Sequence, residues 1–112
     1  MKVITKFRTG KNTSSATLTT EDGSGSVRLT YYDSTREVSV WNLYVVQEQR
    51  HKGVGTNLMR KIEEVASEFF PDAVGLTANV STDEVKMWFA GFGYKITECT
   101  ASKPIGRLNS IF

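Results

Sequence analysis

The sequence predicts a mixed α/β domain, and three observations carry that expectation. Apolar residues alternate along several short, β-rich segments. Between residues 56 and 69 they recur instead at the three- and four-residue spacing of a helix. A basic, glycine-paired loop joins the two patterns, running from Val45 and Val46 through Arg50, His51, Lys52, Gly53, Val54 and Gly55 to Thr56.

The elements follow in order. Residues 10–26 are rich in Gly, Ser and Thr; residues 17–20 form a short strand there and residues 22–25 a turn. Val27, Leu29 and Tyr31 alternate with Arg28 and Thr30, and residues 33–36 turn the chain into a hairpin that continues at Val38. The next strand shifts phase. Val38 and Val40 are apolar at even positions, Leu43 and Val45 at odd ones, and the change falls at Trp41 and Asn42. In a strand buried on one face a β-bulge produces such a shift, and a strand with two apolar faces is the alternative.

Leu58, Met59, Ile62, Val65, Ala66 and Phe69 then form one face of a helix. Arg60, Lys61, Glu63, Glu64 and Glu68 form its solvated face, and Pro71 marks its end. Val74, Leu76, Ala78 and Val80 alternate as a strand. Residues 81–84 read as a capping box for a second helix, whose inner face is Val85, Trp88, Phe89 and Phe92. Gly91 and Gly93 are available to end it. Residues 94–99 read as a strand, 101–104 as a turn, and 107–112 as a last short strand.

The glycine-paired loop carries the chemistry. A loop of this kind points several backbone N–H groups at one spot, at the positive end of a helix dipole, and so suits a pyrophosphate. Gly53 and Gly55 let the backbone approach the anion, while Arg50, His51 and Lys52 set positive charge at its rim. A Walker loop needs G-x-x-x-x-G-K-[ST], which is absent. A dinucleotide fingerprint fails because Leu58 stands where its third glycine belongs.

The segment Arg50-x-x-Gly53-x-Gly55 resembles the acetyl-CoA pyrophosphate loop of the GNAT N-acetyltransferases, Q/R-x-x-G-x-G/A. Leu43-x-Val45 precedes it and Leu58-Met59 follows it at the family's spacing. Asn79 ends a strand, and Phe92-Gly93-Tyr94 stands where the family has x-G-F. The resemblance covers roughly residues 37–99. It implies a central mixed, mostly antiparallel sheet with two main helices. No helical pattern precedes residue 50, so the family's N-terminal helix pair is expected to be missing and the acceptor site open. It also implies acetyl-CoA as co-substrate, an amine acceptor, and contacts to the cofactor from Leu43, Val45, the 50–56 loop and Asn79. A strand-ending Asn79 that only makes a turn is the other reading.

Composition narrows the classes. At 112 residues the chain is expected to be one domain over residues 1–112. A net charge of +2, with no basic run, argues against a nucleic-acid protein. The single Cys99 excludes an internal disulfide and reads as a buried apolar residue; with one histidine besides, no metal site is expected. The first six residues lack the apolar stretch of a signal peptide, and no apolar run approaches membrane-spanning length, so a cytoplasmic protein is expected. The oligomeric state is open, a dimer included.

The catalytic groups depart from the family pattern. At the usual position of its glutamate base the chain has Ser39, able at most to hold a relay water; Glu37 and Asp33 are nearby but read as solvated residues of the hairpin turn. The usual tyrosine acid is Phe89, and neither Tyr44 nor Tyr94 matches its role. His51 reads as an anion contact and not a base. Catalysis then rests on positioning and on a backbone oxyanion donor, with the Val45 amide as candidate. Trp41, Tyr31 and Tyr32 line an acceptor pocket or pack as sheet aromatics. The expected function is acetyl transfer to a primary amine, a protein lysine or N-terminus before a small amine. A non-catalytic CoA-binding or protein-interaction module is the alternative, and a nucleic-acid module using Arg50, Lys52, Arg60 and Lys61 is disfavoured by the low charge.

Overall fold

A computed structural model describes residues 2–50 and 52–105. Four strands come first: β1 (Val3–Thr9), β2 (Thr13–Thr20), β3 (Gly25–Tyr32) and β4 (Glu37–Val45). A short 3-10 turn (Gln47–Gln49) leads to helix α1 (Val54–Phe69). Then follow β5 (Gly75–Asn79), α2 (Asp83–Gly91), β6 (Lys95–Thr97) and β7 (Thr100–Pro104). They form one seven-stranded sheet in the order β1-β2-β3-β4-β5-β7-β6. Among the described residues only β4 and β5 are parallel. That pairing requires a long crossover, and α1 supplies it. Among the described residues no helix precedes the 3-10 turn, as expected from the missing helix pair.

The register sorts every strand residue onto one of two faces. Ala16, Leu18, Leu29, Val38, Val40, Leu76 and Ala101 share the inner face and are nearly inaccessible. Leu58, Ile62, Val65 and Ala66 of α1 close over them. Phe7 stacks on Phe69 with centroids 4.9 Å apart, and Tyr31 on Phe70 at 5.4 Å, fastening the C-terminal end of α1 across β1 to β3. Lys103, level with Leu76, reaches both helices: its Nζ donates to the Phe92 carbonyl at 2.8 Å and pairs with Glu63. Both helices therefore lie on this face. The other face carries Ser and Thr at its central positions, the solvated side of an antiparallel sheet.

Several sequence expectations are corrected. Residues 101–104 are not a turn but most of β7, inserted between β5 and β6. The alternation was hidden because an inward position is Lys103, which satisfies its charge on Glu63. The reversal comes instead at Glu98 (φ 53) and Cys99, which shortens the strand expected over 94–99 to Lys95–Thr97. Cys99 is accordingly exposed, not buried. The cap of α2 is Thr82, whose Oγ1 accepts from Val85 N at 3.2 Å, so Ser81 and Glu84 form no capping box. The short strand expected over 17–20 is the second half of the longer β2. The strand expected over 107–112 lies outside the described residues.

The β2–β3 turn is a polar knot that holds the end of β4. Thr20 Oγ1, buried, donates to Asp22 Oδ1 at 2.9 Å, accepts from Gly25 N at 3.0 Å and shares a hydrogen bond with Ser24 Oγ. The Ser24 carbonyl then accepts from Val46 N at 2.8 Å. Hydrogen bonds from Ser24, then Thr20, hold the Asp22 carboxyl below its usual range. A depressed carboxyl stabilises above its unfolded pKa of about 3.9 and loses that contribution as pH falls through the folded value. We predict that Thr20→Val costs roughly 1–3 kcal/mol in denaturant unfolding, because a buried amide loses its acceptor. A smaller change would mean that water replaces the hydroxyl.

Candidate functional site: a cleft between parted strands

β4 and β5 run side by side only from Glu37 to Ser39, against Gly75 to Thr77. Beyond that point they separate. The cause lies in β4. Between the pairs Arg28–Trp41 and Ser26–Tyr44, one residue of β3 faces two of β4, Asn42 and Leu43. Asn42 adopts φ 54, left-handed backbone that Asn tolerates better than most residues. This is the expected bulge. Because Val46 N bonds to Ser24, ladder alternation turns the neighbouring Val45 N–H away from β3, into the gap that β5 has left.

The gap opens into a cleft of ≈ 820 Å³. Leu43, Tyr44 and Val45 line its strand side, Gln49, Arg50, Gly53, Gly55 and Thr56 its loop side, and Glu84, Val85, Met87 and Trp88 the wall made by α2. Apolar side chains dominate the α2 wall, and Met87 is 75% exposed.

The N-terminus of α1 faces this space without a cap. The first intrahelical bond runs from Asn57 N to Gly53 O at 3.0 Å, so the amides of Val54, Gly55 and Thr56 have no helical partner. Among the described residues no side chain caps them, and no acidic residue stands in the first turn. Such an end suits an anion. The two glycines serve different ends. Gly53 has φ 88 and open space where a Cβ would stand, so conformation alone requires it. A Cβ on Gly55 would lie 3.3 Å from Trp88 Cζ2, so close packing of the indole requires it. Each glycine thus has a structural requirement of its own, beside the expected room for the anion. Val54 itself is buried, directed at Gly25, where a Cβ would stand 2.9 Å from Val54 Cγ1.

The other expected site residues divide. Arg50 lines the cleft, and its Nε donates to the Val45 carbonyl at 3.0 Å, bracing the end of β4. Lys52 is exposed and outside the lining, and His51 lies outside the described residues. Asn79 pairs with Thr100 and does not line the cleft. Ser39 sits where β4 and β5 are still paired, six residues before Val45 and so roughly 20 Å along the strand. Phe89 is buried, edge-on to Trp88 and Tyr94, and presents no group to the cleft. Burial, with the charge of Glu63 beside it, holds the Tyr94 phenol well above its ordinary pKa. Tyr31 is a packing residue against Phe70, whereas Trp41 is 41% exposed on the helix-free face.

Tyr44, Gln49, Glu84, Val85, Met87 and Trp88 are the cleft residues that sequence reasoning did not assign. Val85 and Trp88 belong to the helical face read in the sequence, and the exposure of Val85 and the contact of Trp88 with Gly55 show that part of this face looks outward.

Residues 10–93 match the acetyltransferase (GNAT) family. No curated protein is similar in sequence. Among solved structures, the fold is similar to an acetyltransferase from Bacillus cereus, with TM-score 0.71 at 19% identity over 83% of this chain and 74% of that one. It is also similar to Tetrahymena GCN5, with TM-score 0.65 at 15% identity over 86% and 70%. The ribosomal-protein-S18-alanine N-acetyltransferase from Escherichia coli gives TM-score 0.66 at 12% identity over 88% and 72%. With the family match spanning most of the sequence and the fold in agreement, the chain belongs to the acetyltransferase (GNAT) family.

Proposed function

We propose that the protein is an acetyl-CoA-dependent N-acetyltransferase acting on a primary amine of a polypeptide, a lysine or an N-terminus. The family uses acetyl-CoA as co-substrate. The observation that carries the reading is the uncapped N-terminus of α1 opening onto a cleft between parted strands. In this reading the amides of Val54, Gly55 and Thr56 hold the pyrophosphate, with Arg50 and the adjacent His51 and Lys52 adding charge. The pantetheine arm lies along Leu43 and Val45 against Val85, Met87 and Trp88. The Val45 N–H receives the developing oxyanion. The neutral amine attacks the thioester carbonyl, the C–S bond breaks, CoA leaves as thiolate, and the amine gives its extra proton to water. A free thiol at Cys99 fits a cytoplasmic setting.

A second reading, a non-catalytic CoA-binding or interaction module, draws on Ser39 and the buried Phe89 standing where the family has polar catalytic groups. Detection by mass spectrometry of an acetyl group on peptides incubated with protein and acetyl-CoA separates the two.

The glycines give the first test of the site. Gly53→Ala and Gly55→Val should each lower CoA affinity by about tenfold or more in calorimetry, the first through backbone strain and the second through displacement of Trp88. Trp88→Phe should recover part of the loss for Gly55→Ala but none for Gly53→Ala. Equal behaviour of the two glycines with Trp88→Phe would refute the separate roles.

The second test concerns the proton. Among the described residues, the only carboxylate lining the cleft is Glu84, on the rim at the start of α2. We expect kcat/KM to climb through pH 7 to 9 with the free-amine fraction of an acceptor whose pKa is about 10.4. A plateau near neutrality that vanishes in Glu84→Gln or His51→Ala, with CoA binding intact, would make that residue the base.

A further inference from the structure

The helix-free face of the sheet is asymmetric in charge. Its strand positions carry Lys6, Arg8, Arg28 and Lys95 against a single carboxylate, Glu37. That one face holds more net positive charge than the chain as a whole, which is +2. Two of these cations also lie in one line across the sheet. Lys6, Thr17, Arg28 and Trp41 are level with one another across four strands. Arg28 lies over the Trp41 ring, 5.0 Å from its centroid, and its Nε reaches Thr17 Oγ1 at 3.4 Å. The Trp41 Nε1 donates to Thr30 Oγ1 at 2.8 Å, so the indole is held in place although 41% exposed. Trp41 immediately precedes the bulge, and Tyr44 on the same face lines the cleft and is 53% exposed. No helix among the described residues covers this surface.

Resting on the acetyltransferase reading, we propose that this row docks the acceptor, and that the acceptor is a polypeptide segment with acidic residues close to the amine it presents. The chemistry selects the occupant. Two cations in line, Lys6 and Arg28, on a face whose strands carry a single carboxylate among the described residues, complement an acidic chain. Strands lie about 4.8 Å apart, so Lys6 stands roughly 14 Å from Trp41, the length of about four residues of extended peptide. An amine delivered beside Trp41 and Tyr44 thus sets carboxylates one to four residues away against Arg28 and then Lys6. A small anionic amine would engage Arg28 alone and leave the rest of the row unused. A nucleic acid would match the charge but offers no aliphatic amine, because the lone pairs of its exocyclic nitrogens are delocalised into the bases.

The test uses the intact protein, acetyl-CoA and matched lysine peptides flanked by Glu, Gln or Lys. Acetylation of the Glu peptide should exceed that of the Gln peptide by about fivefold to tenfold in kcat/KM, as two or three exposed charge pairs allow. The advantage should shrink as salt is raised. Lys6→Gln and Arg28→Gln should each remove most of it while the KM for acetyl-CoA stays unmoved, and Arg28→Lys should keep it. Lys6 lies on the edge strand, so its variant reports on charge even where Arg28→Gln disturbs packing. Equal rates for Glu and Gln peptides would overturn the inference while leaving the acetyltransferase reading intact. Fluorescence anisotropy of a labelled Glu peptide covers the converse. Charge-dependent binding with no acetyl transfer to any peptide would sink the acetyltransferase reading and keep the docking surface. A DNA or RNA oligonucleotide that displaces the Glu peptide at lower concentration than the unlabelled peptide does would overturn the docking assignment in favour of nucleic acid.

Discussion

The parting of β4 from β5 is the constraint on which the rest of the structure depends. A continuous sheet would satisfy every strand amide and leave no entry for a ligand. Asn42 prevents that by taking a left-handed backbone at the bulge. Downstream of it, Val45 is left with an amide directed into open space and a carbonyl met by Arg50. The cost is contained locally, because Val46 is tied to Ser24 and Ser24 to the buried Thr20 hydroxyl. The exposed backbone is thus held by a turn more than twenty residues away in sequence.

The cleft is assembled from one strand, one loop and two helices, and its two helical walls meet at the mouth where Trp88 packs on Gly55. Gly55 has no side chain, and the Trp88 indole occupies that space. At the opposite end Lys103 ties Glu63 of α1 to the Phe92 carbonyl that ends α2. The walls are therefore spaced by an apolar contact at one end and a charged one at the other. This explains how a chain without the family's first helix pair keeps a defined cleft.

Local patterns make much of this legible in the sequence itself. The loop, α1 and the bulge are written in adjacent residues: paired glycines, a helical repeat, and a phase shift between Val40 and Leu43. What stayed hidden depends on partners remote in sequence. Lys103 points inward because Glu63 meets it, which disguised β7 as a turn. Cys99 is apolar in type but falls at a reversal, so it is exposed. Trp88 reads as one more core aromatic until Gly55 is placed beneath it. Ser39 and Val45 are six residues apart in the sequence, and only the register shows that Ser39 stands where β4 is still paired with β5.

β1 is an outermost strand of the sheet, and among the described residues nothing pairs with its outer side. Ile4 and Phe7 on it are 47% and 41% exposed. An open edge bearing apolar side chains invites a second copy to add on, strand to strand, and interleaved cations are a common defence. Lys6 and Arg8 occupy those positions. Charges on this strand therefore also guard its rim: with either one kept, the edge still repels a second copy, and only the loss of both would leave it open to stacking into ribbons. The demands of colloidal behaviour and of ligand preference therefore meet at Lys6.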